Sequence, residues 1–184
     1  MDKELYDLMD WAAIEEIVYS EAPCPHHLLG PHLVENGLLI QAFIPTAVCV
    51  LVKLKGTGKE YPMEQADEAG FYAVLIPRKS VAGYTLLVTY DNGVTDEIED
   101  PYAYSSQYKD AELRKFDAGI YYDVYKKTGA HPLTIDGVSG VYFSVWAPCA
   151  MRVSVVGDFN LWDGRRHQMR SLGECGVFDL FIPG

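Results

Sequence analysis

The sequence predicts an all-β fold, with two tandem immunoglobulin-like β-sandwich modules, a short amino-terminal helix before them, and a truncated second module. The 184 residues suffice for one ordinary domain or two small ones. The composition, 49% apolar and 22% charged, is typical of a globular protein. From residue 25 onward, short alternating apolar runs are separated by Gly, Pro and Asn, and much of this pattern occurs twice.

The first element is a helical pattern over residues 3–20, in which apolar residues recur near helical spacing. Asp2 is a candidate N-cap, and acidic side chains in the first turn favour a helix start. We expect the apolar side of this helix to cover the core of its own domain. A face that binds a partner is the alternative.

The internal repeat is the most informative feature. Three stretches recur at offsets of 99, 103 and 106: residues 29–32 at 128–131, 37–52 at 140–155, and 70–77 at 176–183. Such growing offsets are expected when the loops between matching strands differ in length. Each copy is therefore predicted to contain three matching strands, at 38–43, 48–53 and 71–76 in the first copy and at 141–146, 152–156 and 177–182 in the second.

The first copy continues with two more strand patterns, at 84–90 and 94–98, which Asp91-Asn92-Gly93 joins in a predicted hairpin. The second copy has no equivalent, so we expect an unpaired sheet edge and a chain that is a fragment of a longer protein. The open edge is expected to pair with another copy or to be poorly ordered. The predicted organisation is a helix at 1–22, a first module at 23–104, a connector at 105–127 and a second module at 128–184.

The connector region is too aromatic for a free linker, so we expect it to pack on the modules. Its aromatic residues are Tyr102, Tyr104, Tyr108, Phe116, Tyr121, Tyr122 and Tyr125. Aromatic platforms for sugar are the alternative. A packed role is also expected for Trp146, whereas the acidic groups at 15–16 and 96–100 are expected to be solvated surfaces.

The net charge of −11 excludes several partners. Residues 1–100 contain 6 Lys and Arg against 17 Asp and Glu, and only Arg165, Arg166 and Arg170 approach a basic patch. Nucleic acid and anionic membranes require a concentrated basic face, so we predict neither as a partner. The sequence has no run of 18 apolar residues and no basic signal-peptide start, which predicts a cytoplasmic protein.

No metal or cofactor is predicted. The four cysteines show neither a CxxC pattern nor a dense disulfide framework, so we expect reduced thiols. Cys24 with His26, His27 and His32 forms only a poor partial zinc set. Residues 56–59 contain a Gly-Lys pair but lack the remainder of a phosphate-binding loop.

The second copy carries the most specific motif. It reads Trp-Ala-Pro-x-Ala at 146–150 and Val-Gly-Asp-Phe-Asn-x-Trp-Asp-Gly-Arg-Arg-His at 156–167. This sequence resembles the starch-binding module that precedes the catalytic barrel in glycogen branching enzymes of the α-amylase superfamily. The upstream module, with its Asp-Pro-Tyr exit at 100–102, resembles the extra amino-terminal domain of the longer branching enzymes. The resemblance extends over residues 25–184.

The resemblance implies a parent enzyme that cuts an α-1,4-glucan and transfers the segment to a 6-hydroxyl, which creates an α-1,6 branch. In the family, an aspartate nucleophile and a glutamate acid/base lie on a (β/α)8 barrel, so this chain alone should be inactive. A retaining mechanism needs two carboxyl groups about 5–5.5 Å apart, and the local acidic clusters show no such arrangement. The implied partners are α-glucan (glycogen and maltooligosaccharides) and the catalytic barrel of the same chain.

Trp162 is the main candidate for glucan binding, with Asn160 and Asp163 beside it. The resemblance implies that Trp162 stacks on glucose, and a flat indole suits the C–H face of a sugar ring. The alternative is that Trp162 packs on a partner domain or on its own loop. The first copy has no Trp at this place and is expected to bind glucan poorly.

The neighbouring Arg165, Arg166 and His167 are expected to hold the loop around Trp162 or to meet the barrel. Two other functions remain open for the chain. One is a non-catalytic scaffold or interaction protein associated with glycogen, and the other is a sandwich without glucan contact.

Overall fold

The structure is a computed structural model that describes residues 2–184. It consists mainly of antiparallel strands in three four-stranded sheets, which confirms the all-β class. The chain divides into two compact units. The first unit comprises residues 2–19 with His26–Ala103, and the second comprises Ser20–Pro25 with Tyr104–Gly184.

The predicted helical start is present as two short helices, α1 (Lys3–Asp7) and α2 (Trp11–Val18), and not as one continuous helix. The break arises at Asp10, which adopts an extended backbone conformation and accepts a hydrogen bond from the Ala13 amide at 3.1 Å. Asp10 therefore acts as a second N-cap and starts a new helix. Both helices bury apolar side chains, as expected for a core-covering face: Leu5, Ile14 and Ile17.

The first unit contains eight strands in two sheets, ordered β1-β2-β6-β5 and β4-β3-β7-β8. The strands are β1 (Gly30–Val34), β2 (Gly37–Phe43), β3 (Ala47–Leu54), β4 (Glu60–Pro62), β5 (Glu64–Asp67), β6 (Phe71–Ile76), β7 (Tyr84–Tyr90) and β8 (Thr95–Ile98). Buried side chains of both sheets form one core: Leu38, Ile40, Val50, Val52, Tyr72, Leu86 and Val88. This arrangement is a β-sandwich.

The second unit contains one four-stranded sheet, ordered β11-β12-β10-β9. Its elements are α3 (Asp110–Asp117), β9 (Gly129–Ile135), β10 (Val138–Trp146), β11 (Arg170–Ser171) and β12 (Val177–Pro183). Short 3-10 turns complete the two units, at Pro25–His27, Pro101–Ala103, Val124–Lys126 and Asp158–Asn160.

The strand predicted at 152–156 is wrong, because this segment forms only an isolated bridge from Ser154 to Gln168. In the first unit, β3 pairs with β4 on one side and with β7 on the other. Among residues 2–184, the second unit has no strand in the position of β7. A strand needs partners to form a ladder, so the segment keeps only the contacts on the β4 side, such as the Met169 amide donating to the Val153 carbonyl at 2.8 Å.

The aromatic connector packs in part, as predicted. Tyr102, Tyr104 and Tyr108 are buried, and the Tyr108 hydroxyl lies 3.0 Å from the Ser144 hydroxyl of β10. The expectation is wrong for Tyr122 and Tyr125, which are 84% and 67% exposed. These two side chains follow α3 in a turn region, where no element covers them.

Two further expectations about single side chains are wrong. Asp100 is not solvated; it is 2% exposed and accepts hydrogen bonds from the Tyr84 hydroxyl at 2.5 Å and the Tyr102 amide at 2.9 Å. Trp146 is not packed away; its ring is 58% exposed, and its indole N–H donates to the Cys175 carbonyl at 3.1 Å. Both positions depend on residues far along the chain, which local pattern does not reveal.

Candidate functional site

The residues between the 152–156 segment and Gln168 form the Trp162 loop, defined as residues 157–167. The loop opens with the 3-10 turn Asp158–Asn160, and Leu161 and Trp162 then adopt left-handed φ angles of 57° and 60°. Each non-glycine residue in this conformation costs about 1–2 kcal/mol. Two in succession persist only where the surrounding contacts enforce them.

Asn160 supplies most of this support. Its side chain is completely buried; its Oδ1 accepts from the Gly157 amide at 2.9 Å, and its Nδ2 donates to the Val155 carbonyl at 2.8 Å. The same Nδ2 lies 3.0 Å from Nδ1 of His167. The buried Asn160 side chain therefore shapes the loop through these hydrogen bonds.

His167 closes the loop from its other end. Burial, with a smaller contribution from the Arg166 charge, lowers the pKa of the His167 imidazole to about 4. The ring is therefore neutral at pH 7, and its Nδ1 accepts the hydrogen bond from Asn160. The Phe159 ring meets the imidazole edge-on at 5.3 Å, and a Cβ at Gly157 would overlap the Phe159 ring.

The N–H groups of Trp162 are hydrogen-bonded within the loop, whereas its side chain is exposed to solvent. Its indole Nε1–H donates to Asp158 Oδ1 at 2.8 Å, and its backbone amide donates to the Gly157 carbonyl at 3.0 Å. The side chain is nevertheless 66% exposed, and Phe159 and Leu161 are 57% and 72% exposed. The loop thus presents apolar surface from a turn whose backbone is already fixed.

Asp163 is occupied by an ion pair within the loop. Its Oδ2 lies 2.7 Å from Arg165 Nη2, and its Oδ1 accepts from both the Arg165 Nε and the Arg165 amide at 3.0 Å. These hydrogen bonds from Arg165 lower the pKa of the Asp163 carboxyl. The prediction that Arg165 and His167 hold the loop is confirmed.

The first unit has no loop of this length between β3 and β4. The segment that corresponds to the Trp162 loop is the short turn between β3 and β4, where the Lys59 ammonium lies 4.7 Å from the centre of the Tyr61 ring.

Within residues 2–184, no group of three or more His, Cys, Asp and Glu side chains is arranged to hold a metal ion. None of the described helices is long and apolar enough to cross a bilayer.

Sequence reasoning found the loop and its exposed Trp but missed Asp158 and Gly157. The Asp158 contact joins residues four apart across a 3-10 turn, and an acidic residue at that spacing before an aromatic one is its only sequence signal. The need for Gly157 depends on where the Phe159 ring lies. Neither Leu nor Trp favours a left-handed backbone, so the turn itself had no sequence signal.

Comparison with known proteins follows the division into two units. Residues 10–102 match the family described as alpha-1,4-glucan branching enzyme GlgB, N-terminal domain. Residues 127–184 match carbohydrate-binding module 48, the isoamylase N-terminal domain. The two matched regions together include both copies of the internal repeat.

Similar curated proteins include the 1,4-alpha-glucan branching enzyme GlgB of Thermosynechococcus vestitus, 43% identical over 93% of this chain and 23% of that protein. The enzyme of the same name from Rubrobacter xylanophilus is 42% identical over 94% of this chain and 23% of its own length. A solved pullulanase complexed with maltotetraose, from Anoxybacillus sp. LM18-11, covers 54% of this chain and 18% of its own at 17% identity. Its TM-score of 0.32 is too low to support an argument.

The chain spans about a quarter of the length of these curated relatives, since the alignments cover 23% of each. The first family match alone covers half of the chain. The chain therefore belongs to the family of the alpha-1,4-glucan branching enzyme GlgB N-terminal domain.

Proposed function

We propose that this chain is the amino-terminal region of a 1,4-α-glucan branching enzyme of glycogen biosynthesis. Such an enzyme transfers α-1,4-glucan segments to 6-hydroxyls and forms α-1,6 branches. The family membership and the shared name of relatives at 43% and 42% identity support this proposal. We assign catalysis to the part of such a protein that lies outside these residues, and we expect the chain itself to be inactive.

An amylose assay with iodine staining tests this assignment. The full-length protein should lower the iodine absorbance as branches form, whereas residues 1–184 alone should leave it unchanged. The scaffold alternative requires that the full-length protein also leaves it unchanged. The family match weighs against that alternative.

Within that enzyme, we propose that the second unit binds α-glucan, such as glycogen or maltooligosaccharides, on the Trp162 ring and holds long chains near the catalytic barrel. The observation that carries the proposal is that Trp162 is 66% exposed, while its indole N–H and its backbone N–H are both hydrogen-bonded inside the loop. A sugar ring offers an apolar C–H face of matching shape, and the fixed turn loses little freedom on binding. The match to carbohydrate-binding module 48 supports the same function.

Native gels cast with and without glycogen test this site. The parent chain should be retarded by glycogen, and Trp162→Ala should lose the retardation. Trp11→Ala is the matched control, because Trp11 is a partly exposed indole in the first unit. Retardation of Trp162→Ala equal to that of the parent would contradict the proposal, as would a parent that glycogen does not retard.

We also propose the domain boundaries stated above, with a connector at 105–127 between modules at 23–104 and 128–184. The two family matches support them, because one ends at residue 102 and the other begins at 127. Limited proteolysis tests the boundaries. Cleavage within 105–127 is expected, and full protection of this segment would assign it to the second module, where Tyr108 already contacts Ser144.

Self-association is a further proposal about partners. Copies of the chain pair edge to edge through segment 152–156, and support comes from the single isolated bridge that this segment makes within residues 2–184. Unpaired strand edges favour such pairing. Sedimentation velocity should show a dimer that grows with concentration, and a monomer over the whole range would contradict it.

For localisation, we propose the cytoplasm. The sequence supports this proposal, because its four cysteines lack the dense spacing of a disulfide framework, which is typical of proteins from oxidising compartments. Cell fractionation of the native protein tests this proposal, and recovery in a secreted or membrane fraction would contradict it.

A further inference from the structure

The Asp158 carboxylate lies beside the exposed indole, and one of its two oxygens accepts a hydrogen bond. Oδ1 accepts the hydrogen bond from Trp162 Nε1 at 2.8 Å, whereas Oδ2 accepts no hydrogen bond from residues 2–184. Asp158 is an exposed residue, so its carboxylate lies at the surface beside the indole that it contacts. An aromatic face and a free carboxylate oxygen therefore share one patch of surface.

Asp163, the acidic residue that the motif singles out, has a different environment. Both of its oxygens are hydrogen-bonded to Arg165, and its side chain is only 24% exposed. A sugar hydroxyl would have to compete with a guanidinium that binds the carboxylate through two nitrogens, which is the strong arrangement for such a pair. The two carboxylates of the loop are therefore not equivalent.

We infer that Asp158 is the polar ligand-binding residue of this site, which orients the Trp162 indole through Oδ1 and accepts a sugar hydroxyl through Oδ2. The inference rests on the proposed glucan binding and adds its specificity determinant. Because the indole N–H is already donated to Asp158, the ring offers a ligand only its face. The hydroxyls that project from the edge of a stacked pyranose ring then need an acceptor beside the indole, and Oδ2 is placed there.

The chemistry of this pair defines the class of ligand. Stacking requires a flat C–H face, and the carboxylate requires a hydroxyl donor at the rim of the stacked ring. A hydrogen bond to an ionised acceptor is roughly twice as strong as one between neutral groups. Loss of Oδ2 should therefore weaken binding by about tenfold, which is the effect of one charge-assisted hydrogen bond.

Calorimetric titration of residues 1–184 with maltoheptaose tests the inference. Asp158→Asn keeps an oxygen that can accept from the indole N–H but replaces the second acceptor with a donor, and it should bind about tenfold more weakly. Asp158→Ala, which also loses the orientation of the indole, should bind more weakly still. Glu174→Gln, which changes an exposed carboxylate of the second unit outside the loop, is the control and should stay within about threefold of the parent.

Hydrogen exchange of the Trp162 indole N–H, measured by ¹⁵N-edited NMR, distinguishes two roles of Asp158. One is to orient the indole, and the other is to contact the sugar. Asp158→Ala should accelerate this exchange, whereas Asp158→Asn should not. Normal affinity of Asp158→Asn, with binding lost in Trp162→Ala, would overturn the role of Asp158 and leave the proposed function intact. Normal affinity of Trp162→Ala, or no binding by the parent, would overturn the proposed function and this inference with it.

Discussion

The two units keep the same backbone contacts at equivalent positions. Gly70 of the first unit and Gly176 of the second both have positive φ, and a Cβ at either position would overlap the α-carbon of a proline, Pro45 or Pro148. In each unit, the amide before that proline donates to the glycine carbonyl at 2.8 Å. The duplicated sequence therefore corresponds to a duplicated turn.

The buried faces of the two sheets differ. Ala73 on β6 pairs with Gln41, whereas its counterpart Asp179 on β12 pairs with Ser144. Asp179 is completely buried and accepts hydrogen bonds from the Tyr142 hydroxyl at 2.5 Å and from Arg170 Nε at 2.8 Å, as well as from the Ser106 hydroxyl. The comparison shows that the two units share their backbone turns, while a position that is apolar in the first unit is the centre of a buried polar cluster in the second.

The largest effect is expected for Asp179→Ala, which gives the second unit the residue of the first. It leaves the Arg170 guanidinium, 16% exposed, without its carboxylate. Loss of one partner of a buried ion pair costs about 3–5 kcal/mol. Urea unfolding followed by circular dichroism measures the change. Asp179→Asn, which keeps an acceptor for Tyr142 and Ser106, should lose less, and a loss under about 1 kcal/mol for the alanine variant would contradict the assignment.

The second effect concerns the shared turn. Gly70→Ala and Gly176→Ala should each destabilise their own unit by about 3 kcal/mol, because positive φ and overlap with a proline act together. Gly93→Ala is the control: its φ is 79°, but no atom lies within 4 Å of the added Cβ. It should cost about 1 kcal/mol. Unequal losses at Gly70 and Gly176 in urea unfolding would break the equivalence of the two turns.

The third effect is an opposite pH dependence in the two units. Burial raises the Asp100 pKa from 3.8 to about 6, so the contribution of Asp100 to the stability of the first unit is full below pH 3.8 and is lost as pH rises through 6. Burial and Arg166 lower the His167 pKa from 6.5 to about 4, so the contribution of His167 to the stability of the second unit is full above pH 6.5 and is lost as pH falls through 4.

Acidification from pH 7 to 4 should therefore stabilise the first unit and destabilise the second, each by about 2 kcal/mol. Hydrogen exchange of core amides in each unit at several pH values measures both trends. Asp100→Asn should flatten the trend of the first unit alone. Parallel trends in the two units would contradict the assigned pKa shifts.

The smallest effect is expected for Lys53→Val, which gives β3 the residue that Val156 supplies at the equivalent place in the second unit. Lys53 forms an ion pair with Glu97 at 2.7 Å on the surface. Exposed ion pairs contribute little to stability. The urea midpoint of the first unit should stay unchanged within error, and a clear shift would show that this ion pair contributes more to stability than its exposure indicates.

Sequence pattern predicted the elements whose hydrogen-bond partners lie within the same repeat, such as β2 with β6 and β10 with β12. It failed where an element depends on a more distant partner. Segment 152–156 has the pattern of a strand but no second neighbour within residues 2–184. Asp100 has the pattern of a solvated acid but is covered by Tyr84, which lies on β7.

The candidate site divides in the same way. The sequence identified Trp162 as the candidate for an exposed ring and left open that it packs on a partner domain or on its own loop. The roles of Asn160 and Asp158 were not predictable, because they depend on a left-handed backbone that neither Leu161 nor Trp162 favours. The role of a side chain in such a turn depends on the backbone conformation of the turn, and the residue types alone do not predict that conformation.

The left-handed pair Leu161 and Trp162 also has a thermodynamic consequence. The conformational entropy of this turn is lost when the chain folds, so this entropy cost is not part of the free energy of ligand binding. Binding should then have a heat-capacity change that reflects only the area covered by stacking, without the larger negative value that accompanies coupled ordering of a loop. The turn would therefore have the same conformation in the free protein and in the complex with its ligand.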